Sequence, residues 1–191
     1  MFKDLVLRNR SYRRFDQAAR ISPAVLHELV DMARLTPSGK NAQPLKYMLI
    51  HSEAACAQVY PCLAWAGYLK EWGGPVEGER PAAYVVVLGD KTISNDFGVD
   101  PGIASQTLLL GAVEKGLGGC MIGSIRRNDL AAVLDLPAQY EILLVLALGK
   151  PVEEVVIDPV GEDGSIKYWR DAQHVHHVPK RELADLILSE K

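Results

Sequence analysis

Residues 100–116 read "DPGIASQTLLLGAVEKG" and combine clear helix boundaries with an almost uniformly apolar middle. The pair Asp100-Pro101 is typical of a helix start, because an acidic residue can cap free N–H groups and proline fits the first turn. Gly116 is typical of a helix end. Since the middle, "TLLLGAV", is apolar on nearly every face, the segment predicts a wholly buried helix that runs through Ile103 to Lys115.

The rest of the chain supplies elements that could cover this helix. Ser22-Pro23 predicts the start of a second helix, whose apolar residues recur at helical spacing until Pro37. Three apolar runs rich in β-branched and aromatic residues predict buried strands at the centre of a sheet: Leu45–Ile50, Ala83–Leu88 and Ile142–Leu148. Because helices and strands mix without strict β–α–β alternation, the pattern favours an α+β layer architecture.

Two further segments have less definite patterns. The sequence after Pro179 predicts a short amphipathic helix with Leu183, Leu186 and Ile187 on one side. Residues 72–81, "WGGPVEGERP", concentrate glycine, proline and charge, which indicates a loop. That loop is either a mobile flap or a plain surface connection.

Composition narrows the class of protein. The 191 residues are predicted to form one domain, 1–191, and a net charge of −3 lacks the basicity expected of a nucleic-acid binder. The start "MFKDLVLRNR" has no apolar secretory core and no run approaches a membrane span, so we expect a cytoplasmic protein without a membrane partner. The three cysteines are expected to be reduced, buried thiols: Cys56, Cys62 and Cys120.

Two basic segments are candidates for binding an anion. Within "RNRSYRRFD" (8–16), Ser11 lies among four arginines: Arg8, Arg10, Arg13 and Arg14. Guanidinium groups beside a hydroxyl suit a phosphate monoester, although a solvated basic face explains the same pattern equally well. Lys180-Arg181 forms a second basic pair, which is weak support when taken alone.

Two glycine-containing stretches are unlike the common nucleotide-binding loops. "PSGKNAQP" (37–44) contains Gly-Lys but leaves a helix for a strand, and it has Asn41 where a phosphate loop needs a hydroxyl. "GLGGCMIG" (116–123) also leaves a helix, which argues against a dinucleotide fold, yet its glycines would let a backbone approach a flat ligand. A tight helix-to-strand connection explains Gly116 and Gly118 but not Gly119 or Gly123.

The polypeptide shows no catalytic group of its own. The histidines of the tract 174–177, His174, His176 and His177, have no carboxylate or cysteine to complete a ligand set, so no metal site is predicted. The acidic pairs at 153–154 and 162–163 are interpreted as solvated loops. No catalytic residue is assigned, and an enzyme of this sequence would need a cofactor to supply the chemistry.

Four separated motifs together resemble those of the FMN-dependent nitroreductase family. They are "RSYRRFD" (10–16), "TPSGKNAQP" (36–44), "GLGGCMIG" (116–123) and "VPKR" (178–181), and they occur in the family's order. The resemblance implies a nitroreductase-like three-layer α+β fold, in which helices flank a central mixed, mainly antiparallel sheet. It also implies an intertwined homodimer.

The resemblance further implies which residues hold FMN. Arg10 and Ser11 would bind the phosphate with help from Lys180 or Arg181, and Arg13 would lie near the pyrimidine edge of the flavin. A second group would reach FMN from the other subunit: Pro37, Ser38, Gly39 and Asn41. A third group would follow one face and edge of the ring, with a backbone N–H near N5: Met121, Ile122 and Gly123.

Three positions depart from the family pattern. Asn9 occupies a position where many members have a second arginine, Leu45 replaces an aromatic residue, and Thr36 replaces an alanine. Because position 9 is Asn, binding of the phosphate would depend on Arg8, Arg10 or the C-terminal pair Lys180-Arg181.

The expected function is an oxidoreductase in which NADH or NADPH reduces FMN and a small electron-poor acceptor, such as a nitroaromatic or quinone, is then reduced in a ping-pong cycle. Two alternatives stay open: a flavoenzyme of the same fold with another redox reaction, such as dehalogenation or flavin fragmentation, and a non-catalytic FMN carrier or sensor.

Overall fold

The computed structural model describes residues 1–191 as five α-helices and eight strands. The helices are α1 (Phe2–Arg8), α2 (Pro23–Arg34), α3 (Glu53–Val59), α4 (Asp100–Glu114) and α5 (Arg127–Val133). The strands are β1 (Phe15–Asp16), β2 (Leu45–Ile50), β3 (Ala83–Asp90), β4 (Gly118–Ile122), β5 (Tyr140–Pro151), β6 (Val155–Pro159), β7 (Trp169–Arg170) and β8 (His176–Lys180). All three predicted strands and both predicted apolar helices are therefore confirmed.

The main sheet is antiparallel throughout. Strands β2, β3 and β5 lie side by side, and β1 and β4 pair with successive parts of the other edge of β5. The long β5 thus brings the segment before β1 and the glycine-rich β4 to the same edge of the sheet. Two of the four sequence motifs meet there.

Helices cover both faces of this sheet. Val85 and Val87 of β3 pack with α2 and α4, whereas Tyr84 and Val86 of the same strand pack with α3 and α5. Because side chains alternate along a strand, an almost continuously apolar β3 is needed for a sheet that is buried on both sides. The predicted three-layer α+β fold is confirmed.

Helix α4 is less buried than its sequence predicts. Most of its apolar positions are buried, but Ile103 and Leu110 are only partly buried and Gly102, Gln106 and Glu114 are exposed, so one stripe of the helix is open in the single chain. On the enclosed side, a Cβ on Gly111 would lie 2.6 Å from Met32 Sδ, so this glycine allows α2 to pack closely.

A second, three-stranded sheet follows the main one. Strand β8 pairs in parallel with β6 and antiparallel with β7, and this is the only mixed sheet in residues 1–191. The amphipathic helix predicted after Pro179 is wrong: β8 continues to Lys180, and only a short 3-10 turn, Leu183–Asp185, follows. Leu183 and Leu186 are 70% and 66% exposed, so the single chain offers no apolar surface to stabilise a helix there.

The loop at 72–81 is fixed in place as a surface connection. Tyr60 donates a hydrogen bond to Pro75 O (2.8 Å), Arg14 forms a bidentate ion pair with Glu79, and Phe15 N–H donates to Glu79 O (2.9 Å). The thiols of the three cysteines are free and buried, as predicted. None of the five helices has the length and apolar character needed to cross a bilayer.

Candidate functional site

A cavity of about 360 Å³ lies where the segment before β1 meets α4, β4 and β8. It brings together five of the residues predicted to hold FMN: Arg10, Ser11, Arg13, Met121 and Lys180. These residues come from three of the four motifs, and the most distant pair, Arg10 and Lys180, lies 170 positions apart in the chain. Asn9, the departure from the family pattern, also lines the cavity.

The segment around Ser11 is held against β4 by its backbone. Ser11 forms a parallel bridge with Gly119, and Tyr12 N–H donates to Gly119 O (3.0 Å). A Cβ on Gly119 would lie 2.5 Å from Ala147 O on the neighbouring strand. Gly119 therefore has a packing role that the sequence did not reveal, whereas a Cβ on Gly123 would meet nothing closer than 4.0 Å.

The cavity wall is positively charged and has no acidic residue. Arg10, Arg13 and Lys180 line it, none of them forms an ion pair, and no carboxylate is among the lining residues. Arg14 differs because it pairs with Glu79 at 2.6 Å, an interaction that also lowers the pKa of that carboxyl. Only part of the basic cluster therefore acts at the cavity.

Arg10 and Arg13 are oriented by neutral groups. Arg10 Nη2 donates to Val6 O (2.7 Å), while its buried Nε has no hydrogen-bond partner. Arg13 Nη1 donates to Ser11 O (3.1 Å), and its guanidinium lies 5.0 Å from the centre of the Tyr168 ring. These contacts fix the side chains without cancelling their charge.

His176 was noticed in the sequence only as part of a tract without metal ligands, and the structure places it in the cavity wall. Its side chain is fully buried, and Nε2 lies 3.2 Å from Arg13 Nη1. Burial, reinforced by the nearby charges of Arg13 and Arg170, lowers the pKa of His176 to about 4. The ring is therefore neutral at physiological pH.

Glu153 is a second residue that the sequence analysis misjudged. Its side chain is completely buried rather than solvated, and it accepts hydrogen bonds from the backbone N–H groups of Arg13 and Arg14. Its other oxygen pairs with Arg170 at 2.7 Å, and that guanidinium stacks on Trp72. Glu153 thus joins the arginine segment to the small sheet.

A smaller cavity of about 160 Å³ adjoins the first and shares part of its wall. Arg13, Met121 and Tyr168 line both, and Ile122 and Gly123 line the second. The residues predicted to follow one face of a flat ligand therefore line these two adjoining cavities. Tyr168 had no recognisable sequence signal.

The motif at 36–44 lies elsewhere in the single chain. Pro37 and Ser38 line a separate cavity of about 180 Å³, which shares no residue with the first, and Gly39 and Asn41 line neither. Asp100 organises this loop by accepting from Ser38 Oγ (2.6 Å) and Gly39 N–H (3.0 Å). Arg181 also lies outside the cavities described here.

Comparison with known proteins gives a consistent result. A model of the nitroreductase family matches residues 6–150. The chain is 25% identical over 180 residues to "Putative NAD(P)H nitroreductase YodC" of Bacillus subtilis (strain 168), covering 78% of this chain and 89% of that protein.

Solved structures have the same fold. A nitroreductase family protein from Clostridium novyi NT has a TM-score of 0.65 at 20% identity and covers 94% of each chain. An FMN-dependent nitroreductase from Clostridium difficile R20291 has a TM-score of 0.64 at 19% identity, covering 78% of this chain and 87% of that one. The family model covers most of the chain, including the arginine segment and the glycine-rich strand, and we conclude that the chain belongs to the nitroreductase family.

Proposed function

We propose that this chain is an FMN-dependent oxidoreductase that takes electrons from NADH or NADPH and passes them to a small electron-poor acceptor, such as a nitroaromatic or quinone. One observation carries the proposal: a cavity lined by three cations without ion-pair partners and by no carboxylate, in a chain of the nitroreductase family. The relatives' names, NAD(P)H nitroreductase and FMN-dependent nitroreductase, support the same choice of donor and cofactor.

The residues present fit FMN. A volume of about 360 Å³ is typical of small-molecule sites, and unpaired arginine and lysine side chains suit a phosphate. The buried Nε of Arg10 has no partner within the chain, so a phosphate oxygen could satisfy it. Arg10, Ser11 and Lys180 would hold the phosphate. Of the basic residues expected to make up for the arginine absent at Asn9, Arg10 and Lys180 line the cavity, whereas Arg8 and Arg181 do not.

FMN, when bound, supplies the two-electron redox chemistry for which the side chains have no equivalent. The chain contributes binding and electrostatics. Arg13 is a fixed cation in the wall, so it stabilises negative charge that develops beside it without having to reorganise. No carboxylate forms an ion pair with the Arg13 guanidinium, so its charge is not neutralised within the chain.

The two adjoining cavities support a ping-pong order. The two cavities share Arg13, Met121 and Tyr168 as wall residues, so donor and acceptor would reach the cofactor through the same region of the chain. A donor that must leave before the acceptor enters gives ping-pong kinetics.

We further propose that residues 1–191 form one domain and that two copies form a homodimer. The motif at 36–44 contributes no residue to the lining of the chain's own cavity, as expected if it completes the partner's site. Large apolar side chains are exposed at both ends of the chain, among them Phe2 (70%) and Leu183 (70%). Sedimentation combined with flavin fluorescence during dilution tests this, and a monomer that keeps FMN with full affinity contradicts it.

Anaerobic rapid mixing tests the proposed activity. Protein loaded with FMN is first mixed with NADH or NADPH, and the bleaching of the flavin absorbance is followed. A nitroaromatic or quinone is then added to the reduced protein, and return of the yellow absorbance is expected within the time of one turnover. A carrier or sensor would show neither fast bleaching nor fast return.

A further inference from the structure

The side chain of Arg13 is surrounded by groups that hold it but do not neutralise it. Its Nη1 contacts Ser11 O at 3.1 Å and His176 Nε2 at 3.2 Å, and its guanidinium lies over the ring of Tyr168. A buried or half-buried arginine is more often paired with a carboxylate, as Arg14 and Arg170 are in this chain. The choice of a histidine partner therefore needs an explanation.

We propose that His176 is a positioning residue for Arg13, one that accepts a hydrogen bond from the guanidinium and fixes it in the cavity wall while leaving its positive charge free for the ligand. An arginine has only N–H donors, so the nitrogen facing it must be an acceptor. Nε2 of His176 is consequently unprotonated, and the proton of the neutral ring lies on Nδ1, which is buried without a partner.

The surroundings of His176 favour the neutral ring from every side. Burial and the charges of Arg13, Arg170 and His177 all disfavour a second proton. The aromatic ring of Tyr168, 5.2 Å away between ring centres, adds no charge. An imidazole held in this state accepts from a cation without becoming an anion.

The neighbouring histidine shows that the effect is specific to one side of β8. His177 contacts Asp158 at 2.8 Å and Asp171 at 3.4 Å; burial opposes its charge, but these carboxylates outweigh burial and raise its pKa. Successive residues of a strand point to opposite faces. His176 is thus a neutral hydrogen-bond acceptor beside the cavity, whereas His177, on the other face of the strand, gains a proton more readily.

Glu153, the carboxylate nearest to this segment, also leaves the Arg13 side chain without an ion pair. Glu153 binds the backbone N–H groups of Arg13 and Arg14 and pairs with Arg170, so it positions the segment without forming an ion pair with the Arg13 side chain. A carboxylate at position 176 would instead pair with Arg13 and cancel its charge. The inference rests on the proposed function, in which Arg13 lies beside the pyrimidine edge of the flavin.

Three substitutions at one position separate the acceptor role from simple packing. His176→Gln keeps a neutral acceptor, His176→Leu removes it at similar volume, and His176→Glu supplies an acceptor that carries negative charge. His27→Glu, on the exposed face of α2, controls for adding one negative charge to the protein. Each variant is loaded with FMN, and its affinity and its reduction potential are measured.

We expect His176→Gln to bind FMN within about threefold of the wild-type affinity and to keep its potential, because the hydrogen bond to a charged donor is retained. His176→Glu should lower the potential, since a neutralised Arg13 no longer stabilises the negative charge of the reduced ring. His176→Leu should weaken FMN by about tenfold or more, because a charge-assisted hydrogen bond is lost. Equal potentials in His176→Glu and His27→Glu would overturn the inference.

Nitrogen NMR of the wild-type protein without flavin gives a readout that needs neither a variant nor cofactor binding. The expected result is a neutral His176 ring with its proton on Nδ1. A ring protonated on Nε2 would overturn the inference, because that nitrogen could not accept from Arg13. If the protein takes up no flavin, the proposed function fails, while the position of this proton still decides whether His176 holds Arg13.

Discussion

At the scale of single residues, the site depends on which arginines have a negative partner. Arg10, Arg13 and Arg14 lie within five positions of one another, yet only Arg14 is paired, with a glutamate 65 positions further along the chain. Sequence spacing placed all three in one basic cluster. It could not separate them, because the pairing is set by where the 72–81 loop returns to β1.

Arg10→Ala tests the assignment of the phosphate site. We expect FMN affinity to fall by about tenfold to 100-fold, which corresponds to the roughly 1.5–3 kcal/mol of a charge-assisted hydrogen bond. Riboflavin, which has no phosphate, should bind the variant almost as well as it binds the wild type. Fluorescence titrations with both ligands measure the two affinities.

Arg8→Ala is the matched control, because Arg8 is an exposed arginine two positions away that does not line the cavity. Its FMN affinity should stay near that of the wild type. Equal losses of FMN and riboflavin affinity in Arg10→Ala would assign the phosphate to another residue.

The buried His176 makes stability depend on pH in a defined direction. Burial and the nearby charges of Arg13, Arg170 and His177 hold its pKa at about 4 in the folded protein, against 6.5 for an ordinary histidine. Between these two values the unfolded chain binds more protons than the folded one, so the free energy of unfolding should decrease as the pH falls from 6.5 to about 4. Urea unfolding of the flavin-free protein at several pH values measures this slope.

His176→Gln should flatten that slope, because glutamine does not titrate. His177, whose pKa is raised and whose contribution has the opposite sign, is present in both proteins and cancels in the comparison. Parallel pH profiles for the two proteins would show that His176 is not held neutral.

At the scale of secondary-structure elements, strand β4 both packs against β5 and borders the candidate site. Gly119 has no room for a side chain, since a Cβ there would lie 2.5 Å from a backbone oxygen of β5, whereas Gly123 has open space beside it. Both glycines looked alike in the sequence. Only the pairing of β4 with β5 distinguishes them.

Gly119→Ala should therefore destabilise the fold by about 1–3 kcal/mol, as is usual when a methyl group is forced into a packed site. Gly123→Ala, the matched control four positions away, should change the free energy of unfolding by less than about 0.5 kcal/mol. Chemical unfolding of both flavin-free variants gives the comparison. A Gly119→Ala protein as stable as the control would mean that β4 and β5 can move apart at little cost.

The link between β5 and β6 depends on Glu153. Glu153→Gln removes the negative partner of Arg170, whose side chain is largely buried, so we expect a loss of about 3–5 kcal/mol in the free energy of unfolding. Glu154→Gln is the neighbouring control, because Glu154 is exposed and should change stability little. Similar thermal stability of the two variants would contradict the structural role given to Glu153.

At the scale of the whole molecule, the apolar pattern predicted the layers, and the motif order predicted the family. The runs at 45–50, 83–88 and 142–148 were sufficient because strands buried on both faces are continuously apolar. The small sheet and the role of His176 were missed, because short strands with few apolar residues leave no clear periodicity. The helix predicted after Pro179 was wrong because the spacing of Leu183 and Leu186 suits a helix, but the single chain gives these side chains nothing to pack against.

The predicted site residues fall into two groups within the chain. Five predicted residues meet in one cavity, and two more border the cavity that adjoins it, while the 36–44 loop is held by Asp100 on a separate cavity. We therefore retain as predictions both the homodimer and the role of Ser38 and Asn41 in the partner's site.

Mass spectrometry of the chromophore released by heating tests the central claim most directly. The three unpaired cations of the cavity, with no covalent attachment site evident, predict a yellow protein that releases intact FMN when it unfolds. Finding FMN at about one molecule per chain agrees with the account, since each chain contributes one such cavity. Finding FAD, or no flavin after incubation with excess FMN, would contradict it.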